Sequence, residues 1–180
     1  MENPSAPGKL RHVTNYRVLN QALKRPDWPF MSSDSVRRQL DPETQVFCAL
    51  DLCSSYHQVE LAEEHRDMTT FTLPWGPFRY EILPMGLNPS SDKFNIESDT
   101  CTRSLNGCLK SVDDGLQQAR NYSLLKDRLV ILFDRFRNKN VKVKSSKFRI
   151  SDRVKFGGFI AGVSGSGVYV EPDPDQIKSL

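Results

Sequence analysis

Three aspartates carry the chemistry that this sequence could perform. Asp51 lies near the end of the apolar run 46–52, and the adjacent Asp113 and Asp114 follow 62 residues later. An apolar run of this length is typical of a strand buried on both faces, where an unpaired carboxylate is costly. Clustered carboxylates also repel one another, and Mg²⁺ relieves the repulsion because it prefers carboxylates, water and substrate phosphates as ligands. The three acids predict metal-assisted phosphoryl transfer if the fold brings them together.

Each acidic signal also has an ordinary structural explanation. Asp-Asp-Gly at 113–115 is a common surface turn, and Asp51 alone could be a structural acid with hydrogen-bonded partners. Asp-Gly favours tight hairpin turns because glycine accepts a positive φ, so Asp113 and Asp114 are predicted at or near a hairpin tip. Neither observation by itself establishes an enzyme.

The surrounding residues predict the elements that would position these acids. Leucines and phenylalanines at helical spacing predict a helix that starts near Asn121 and ends near Asn138 or Asn140. Serines at the starts of 33–40 and about 90–103 predict two further helices. The segments predicted to be strand-like are 10–19, 46–52, 56–61, 69–73, 78–83, 108–112, 141–150 and 154–163. This mixed order is typical of an α+β domain with helices packed on one face of an antiparallel sheet.

Positive charge is concentrated in one stretch, although the whole chain has a formal net charge of only +3. A solvated face is one explanation of such a stretch, and binding to a polyanion through counterion release is the other. Only Asp152 opposes the basic residues, which are Arg135, Arg137, Lys139, Lys142, Lys144, Lys147, Arg149, Arg153 and Lys155.

The remaining composition argues against several classes of protein. None of the four cysteines forms a C-x-x-C pair, and the three histidines lack the spacing of metal ligands. No apolar run is long enough to span a membrane, and no secretory signal is present. We therefore expect a soluble intracellular protein, cytoplasmic or nuclear, with reduced thiols.

Taken in order, the motifs resemble those of gypsy-type LTR retrotransposon reverse transcriptases, which are encoded within Pol polyproteins. The Leu50–Val59 segment is similar to the first catalytic motif, and Val112-Asp113-Asp114 is similar to the catalytic acidic pair. The other matching segments are 8–20, 69–71 with 76–80, 83–91, 147–148 with 154–159, and 167–177. Each motif alone is weak, but seven in the right order from about residue 8 to residue 180 are specific.

The resemblance implies a polymerase palm-like antiparallel sheet with helices on one face, plus partial fingers. Residues 1–9 would form a disordered or extended end, 10–45 partial fingers, 46–163 the palm, and 164–180 the start of the connection to a thumb outside this sequence. The implied activity is RNA-directed DNA synthesis, in which an RNA template directs joining of a dNTP to a DNA primer 3′-hydroxyl. The implied cofactor is two Mg²⁺ ions, with Mn²⁺ as a possible substitute.

Residue roles follow from the same resemblance. Asp51, Asp113 and Asp114 would be catalytic metal ligands, and the backbone carbonyl of Leu52 would be a further ligand. By the same resemblance, Arg11 would contact the triphosphate and Tyr56 would exclude a ribose 2′-hydroxyl. Met85 and Gly86 would line the nucleotide and template pocket. Contact with pyrophosphate, primer or template is implied for Lys147, Phe156, Gly157 and Gly158.

The sequence departs from the family pattern at two positions and in the stretch between Phe94 and Asp113, which is short. Asn15 stands where the family usually has Asp, and Ser111 stands where many relatives have Tyr. Most of the fingers, the thumb and the ribonuclease H region would lie outside these 180 residues. The alternative hypothesis is therefore a catalytically inactive element remnant or a co-opted nucleic-acid-binding module, although the three intact acids favour catalytic ancestry.

Overall fold

A computed structural model describes residues 2–3, 6–10, 12–25, 32–52 and 55–177, which divide into two compact units. Residues 1–27 and 54–94 form the first unit, and residues 28–53 and 95–180 form the second. Both helices and antiparallel strands are present, so the predicted α+β class is confirmed. Within the described ranges, no helix combines the length and apolar character needed to cross a bilayer.

The first unit contains short elements and two small antiparallel ladders. Its elements are β1 (Glu2–Asn3), β2 (Ala6–Leu10), α1 (Arg17–Ala22), α3 (Glu63–Arg66), β4 (Phe71–Leu73), β5 (Gly76–Phe78) and the beginning of α4 (Asn88–Thr102). The strand-like prediction for 10–19 holds only at Leu10, because residues 12–16 belong to neither a strand nor a helix and residues 17–19 are helical. Helix α1 begins at Arg17, and the Arg17 amide donates to Asn15 Oδ1 at 3.0 Å.

The second unit is built from two antiparallel sheets. One has the strand order β6 (Cys108–Ser111), β7 (Asp114–Ala119), β3 (Val46–Asp51), β8 (Arg149–Ser151). The other has the order β11 (Gly167–Pro172), β10 (Phe159–Ser164), β9 (Arg153–Phe156). The helices of this unit are α2 (Ser33–Gln39), the end of α4, α5 (Tyr122–Asn138) and α6 (Pro174–Ile177).

Strand β3 is central to the second unit and is buried from Val46 to Leu50, as its apolar sequence predicts. Helix α5 contacts β3 and β7 and buries an apolar stripe of its own. The main core also includes residues of α2, β6, β9 and β10. Its buried members are Val36, Leu40, Phe47, Ala49, Leu109, Leu116, Val154, Phe156 and Ala161. Tight packing around β3 restricts the position of Asp51 at its end.

The turn of the hairpin that joins β6 to β7 lies one residue earlier in the sequence than predicted. Val112 and Asp113 form the turn, with φ of +52° at Val112, whereas Asp114 and Gly115 belong to strand β7. Gly115 serves close packing, because a Cβ there would lie 2.5 Å from Leu50 Cδ1. The Asp-Gly pair therefore marks a strand that approaches its neighbour's side chain, and Asp114 is held by the β-ladder.

Candidate active site

Asp51 and Asp114 lie directly opposite each other where β3 ends and β7 begins. Directly opposite residues of antiparallel strands have Cβ atoms about 4.5–5.5 Å apart on the same face of the sheet. The Leu52 amide donates to the Asp113 carbonyl at 2.7 Å, which extends the ladder to the turn residue. Asp51 and Asp114, which are 63 residues apart in sequence, and the neighbouring Asp113 therefore share one end of the sheet.

Asp51, Asp113 and Asp114 form an acid cluster whose negative charge is only partly compensated by neighbouring groups. Burial raises the pKa of Asp113, and the Asp51 carboxylate raises it further. Burial also raises the pKa of Asp114, with further contributions from Asp113 and Asp51. Lys147 opposes both shifts. Such a cluster favours any cation that can reach it.

Two protein donors occupy carboxylate oxygens of the cluster. Lys147 Nζ forms an ion pair with Asp51 Oδ2, and this contact raises the pKa of the lysine. The Lys144 amide donates to the Asp51 carbonyl at 2.8 Å, which holds the 3-10 turn Ser145–Lys147 beside β3. The Gly157 amide donates to Asp114 Oδ2 at 3.0 Å. Both partners come from segments far along the chain.

The carboxylates of the acid cluster are suitable ligands for a divalent cation, although their oxygen atoms do not converge on one coordination position. Among the residues that the structure describes, no three His, Cys, Asp or Glu side chains converge on a position for an ion. The Oδ2 atoms of Asp51 and Asp114 instead face Lys147 and Gly157. Three neighbouring carboxylates, two of them with raised pKa values, are nevertheless the ligand type that Mg²⁺ prefers.

A cavity of about 650 Å³ lies beside the acids. Asp51, Asp114 and Lys147 line it, together with Phe156, Gly157 and Gly158 from the end of β9 and the turn that follows. The structure thus places the segment predicted to hold a primer end in the same cavity as two of the predicted metal ligands.

The predicted nucleotide-contacting residues belong to the first unit, except Arg11, which lies outside the described residues. Tyr56 is half-buried and meets Phe94 edge-on, with ring centroids 6.3 Å apart. The half-buried Met85 precedes Gly86, whose φ is +94° and whose carbonyl accepts from Asn20 Nδ2 at 2.9 Å. This hydrogen bond fixes the Met85–Gly86 turn within its own unit.

The basic stretch is partly neutralised by acids that lie elsewhere in the sequence. Arg137, Lys147, Arg153 and Lys155 form ion pairs, and their partners are Asp134, Asp51, Glu171, and Asp173 with Asp175, respectively. Within the described residues, Lys139, Lys144 and Arg149 have no carboxylate partner. The local sequence therefore overstates the charge that is available to an external polyanion.

The three cysteines within the described residues are free thiols. Burial raises the pKa of Cys48 to about 12, and burial raises that of Cys108 to about 12 as well. Burial also raises the pKa of Cys101. Thiols of this kind are inert at neutral pH. Cys53 lies outside the described residues.

Asp114→Asn is expected to stabilise the metal-free protein by about 1 kcal/mol at pH 8, because it removes a buried, repelled charge. The native state binds the Asp114 proton more tightly than the unfolded state does, because the folded pKa is raised. That contribution to stability is complete below the ordinary pKa of aspartate and is lost as pH rises through the folded pKa. Urea unfolding of both proteins measures the difference.

The gain should shrink as the pH falls toward 4, where the wild-type carboxyl is itself increasingly protonated. Asp127→Asn, at an exposed position of α5, is the matched control and should change stability by less than about 0.5 kcal/mol. A less stable Asp114→Asn protein at pH 8 would show that the negative charge is well accommodated without a metal.

The sheet, its central buried strand and the paired acids on the adjoining hairpin define a polymerase palm-like domain. The family model for reverse transcriptase (RNA-dependent DNA polymerase) matches residues 1–161, and the chain belongs to this nucleotidyltransferase family. Members of the family generally depend on divalent metals.

Relatives and solved structures agree with this assignment. The chain is 29% identical over 173 residues to the retrovirus-related Pol polyprotein from transposon gypsy of Drosophila melanogaster, covering 94% of this chain and 16% of that protein. For the Pol polyprotein from transposon 297 of the same species, identity is 26% over 184 residues, covering 99% and 17%. The resemblance to gypsy-type retrotransposon Pol sequences is confirmed, and the chain spans about a sixth of these relatives' length.

The fold is similar to that of part of the foamy viral protease–reverse transcriptase. A structure of that protein in complex with double-stranded DNA has a TM-score of 0.84 at 20% identity, covering 100% of this chain and 31% of the other. A structure in complex with an RNA/DNA hybrid has a TM-score of 0.80 at 18% identity, covering 93% and 22%. The predicted palm-like fold is confirmed by this similarity.

The contacts of Lys147 with Asp51 and of Gly157 with Asp114 were not predicted from the sequence. The paired residues are 96 and 43 positions apart, and no local pattern connects them. Sequence motifs assigned Lys147 and Gly157 to substrate contacts, whereas the structure shows both in contact with the acids themselves.

Proposed function

We propose that this chain contributes the catalytic palm and part of the fingers of a retrotransposon RNA-directed DNA polymerase. The observation that supports this most directly is the placement of Asp51 opposite Asp114, with Asp113 at the adjoining turn. In this proposal residues 10–45 belong to the fingers, 46–163 to the palm and 164–180 to the connection toward a thumb. The enzyme would work in the cytoplasm or nucleus, where its template and dNTPs are available.

The three acids would hold two Mg²⁺ ions, or Mn²⁺, with the Leu52 carbonyl as a further ligand. When bound, such ions activate a primer 3′-hydroxyl and stabilise the charge of the leaving pyrophosphate. The chain's own contribution is to hold the carboxylates in a fixed position at the end of a rigid sheet, so that little reorganisation accompanies the reaction. Lys147, which forms an ion pair with Asp51, would supply a positive charge near the departing pyrophosphate.

The remaining proposed roles concern the substrates. Tyr56 would exclude a ribose 2′-hydroxyl, Met85 and Gly86 would line the nucleotide and template pocket, and Arg11 would contact the triphosphate. The Phe156–Gly158 segment would hold the primer end, and its position in the cavity with Asp51 and Asp114 supports this role.

Primer extension on a primed RNA template tests the proposal. We expect Mg²⁺-dependent incorporation of dNTPs by a longer segment of the same polyprotein that restores the flanking fingers and thumb. Much weaker or no extension is expected from the 180-residue chain, because grip on the duplex needs those regions. EDTA should abolish synthesis, and added Mg²⁺ should restore it.

Absence of extension by the restored protein with both Mg²⁺ and Mn²⁺ would contradict catalysis. It would favour the alternative of an inactive remnant or a co-opted nucleic-acid-binding module. Filter binding of a primed template in the same preparation separates these outcomes, because a binding module retains affinity without synthesis.

Salt dependence of binding tests the role of the basic stretch. The logarithm of affinity should fall with the logarithm of salt concentration, with a slope no steeper than about −5, because four of the nine cations are already paired. Lys144→Ala should reduce the slope by about 0.7–0.9, the value for one phosphate contact. Arg137→Ala is the control, since Arg137 pairs with Asp134, and a flat wild-type response would exclude phosphate contacts.

A further inference from the structure

The turn between β9 and β10 contacts the acid cluster directly, through a hydrogen bond to Asp114. Its residues Gly157 and Gly158 both have positive φ, +56° and +83°. The Gly157 amide donates to Asp114 Oδ2 at 3.0 Å, and the Gly158 carbonyl accepts from the Asp173 amide at 3.0 Å. The turn is thus held from both sides, and one of its two contacts is a proposed metal ligand.

The β9–β10 turn lies close to the β6–β7 hairpin because two small residues, Gly157 and Ser111, meet there. A Cβ added at Gly157 would lie 2.9 Å from both Cβ and Oγ of Ser111, closer than real Cβ contacts allow. Ser111 is the direct antiparallel neighbour of Asp114 on β6. The separation of the turn from the hairpin is therefore set by the absence of a side chain at 157 and the small one at 111.

We propose that Gly157 is a positioning residue for Asp114. Its amide fixes the rotation of the carboxylate by donating to Oδ2, and this hydrogen bond would set the orientation in which Asp114 holds a cation. The same contact links the turn proposed to hold the primer end to the metal-binding acids, so that displacement of one displaces the other. The consequence for metal binding rests on the proposed function, whereas the hydrogen bond itself does not.

A double-mutant cycle on the full 180-residue chain tests this role with Mn²⁺ as the probe. Gly157→Ala forces the turn away from Ser111 and should weaken Mn²⁺ affinity, measured by electron paramagnetic resonance, about fivefold or more. Ser111→Gly removes the obstructing atoms and should by itself leave the affinity within about twofold of wild type. The combined variant should recover wild-type affinity within about twofold, although both proteins that carry the Gly157→Ala substitution keep a strained φ and a lower melting temperature.

Rescue separates positioning from general destabilisation. A residue that only stabilises the fold would lower the melting temperature without changing Mn²⁺ affinity, and Gly157→Ala with unchanged affinity would overturn the proposal. If Ser111→Gly fails to restore the Mn²⁺ affinity lost in Gly157→Ala, the proposal is also overturned. The close approach of residue 157 to Ser111 would then not be the cause of the loss.

Hydrogen exchange of the Gly157 amide provides a measurement that needs neither metal nor a substituted glycine. In the wild-type chain this amide should exchange slowly, and Asp114→Ala should accelerate its exchange at least about tenfold by removing the acceptor. Unchanged exchange would sink the proposed contact. A wild-type chain that binds no Mn²⁺ but shows the accelerated exchange would contradict the proposed metal site and leave the positioning role supported.

Discussion

Asp113→Asn is expected to lower the rate of primer extension by the restored polymerase by at least about 10³-fold, equivalent to about 4 kcal/mol of transition-state stabilisation. Asparagine keeps nearly the same shape but removes one negative charge from the cluster. The backbone carbonyl of Asp113 accepts a hydrogen bond from the Leu52 amide, and a change of the side chain leaves this backbone contact in place. Single-nucleotide incorporation under saturating dNTP measures the effect directly.

Asp152→Asn is a suitable control, because Asp152 is an exposed acid of the same unit, in the turn between β8 and β9. It should extend primers at a rate within about twofold of wild type. The circular dichroism spectrum of Asp113→Asn should match that of wild type, which excludes misfolding as the cause of inactivity. Extension by Asp113→Asn within about tenfold of the wild-type rate would remove Asp113 from the proposed site.

Tyr56→Ala is expected to increase incorporation of ribonucleotides relative to deoxyribonucleotides by about 10²-fold, or about 2.7 kcal/mol in relative transition-state energy. In the proposal the Tyr56 ring occupies the volume that a 2′-hydroxyl would need. Its edge-on contact with Phe94 limits the ring to few orientations, which is what steric exclusion requires. The ratio of kcat/KM for matched rNTP and dNTP pairs measures the change.

Tyr56→Phe is the matched control, since it keeps the ring and the contact with Phe94 but loses the hydroxyl. Its selectivity should stay within about threefold of wild type. Equal ribonucleotide exclusion by Tyr56→Ala would show that another group discriminates the sugar. A parallel fall in both incorporation rates without a change in their ratio would assign Tyr56 to packing alone.

Local patterns predicted much of the framework of the second unit. The apolar run that became β3 is buried on both faces, and the helix predicted from about Asn121 begins at Tyr122 with Asn121 as its cap. These predictions succeed because burial periodicity and capping act over a few residues. The strand-like prediction at 17–19 failed because these residues form the first turn of α1, where the Arg17 amide donates to the Asn15 side chain.

The hairpin shows where local chemistry misleads. Asp-Gly is a favoured turn pair, yet the turn falls on Val112 and Asp113, and Gly115 lies within a strand against Leu50. A bulky residue with positive φ carries no sequence signal. Register across β3 and β7 decided the outcome, because shifting it by one residue would exchange the faces of every side chain.

By itself the sequence determined which residues can do the chemistry and which family the chain belongs to, because residue identity and motif order are properties of the chain. Only the tertiary structure decided that Asp51 stands opposite Asp114, that Lys147 pairs with Asp51 and that Gly157 donates to Asp114. Those contacts join positions 43 to 96 residues apart, and their geometry depends on strand register and core packing. The three acids become one candidate site only through that long-range packing.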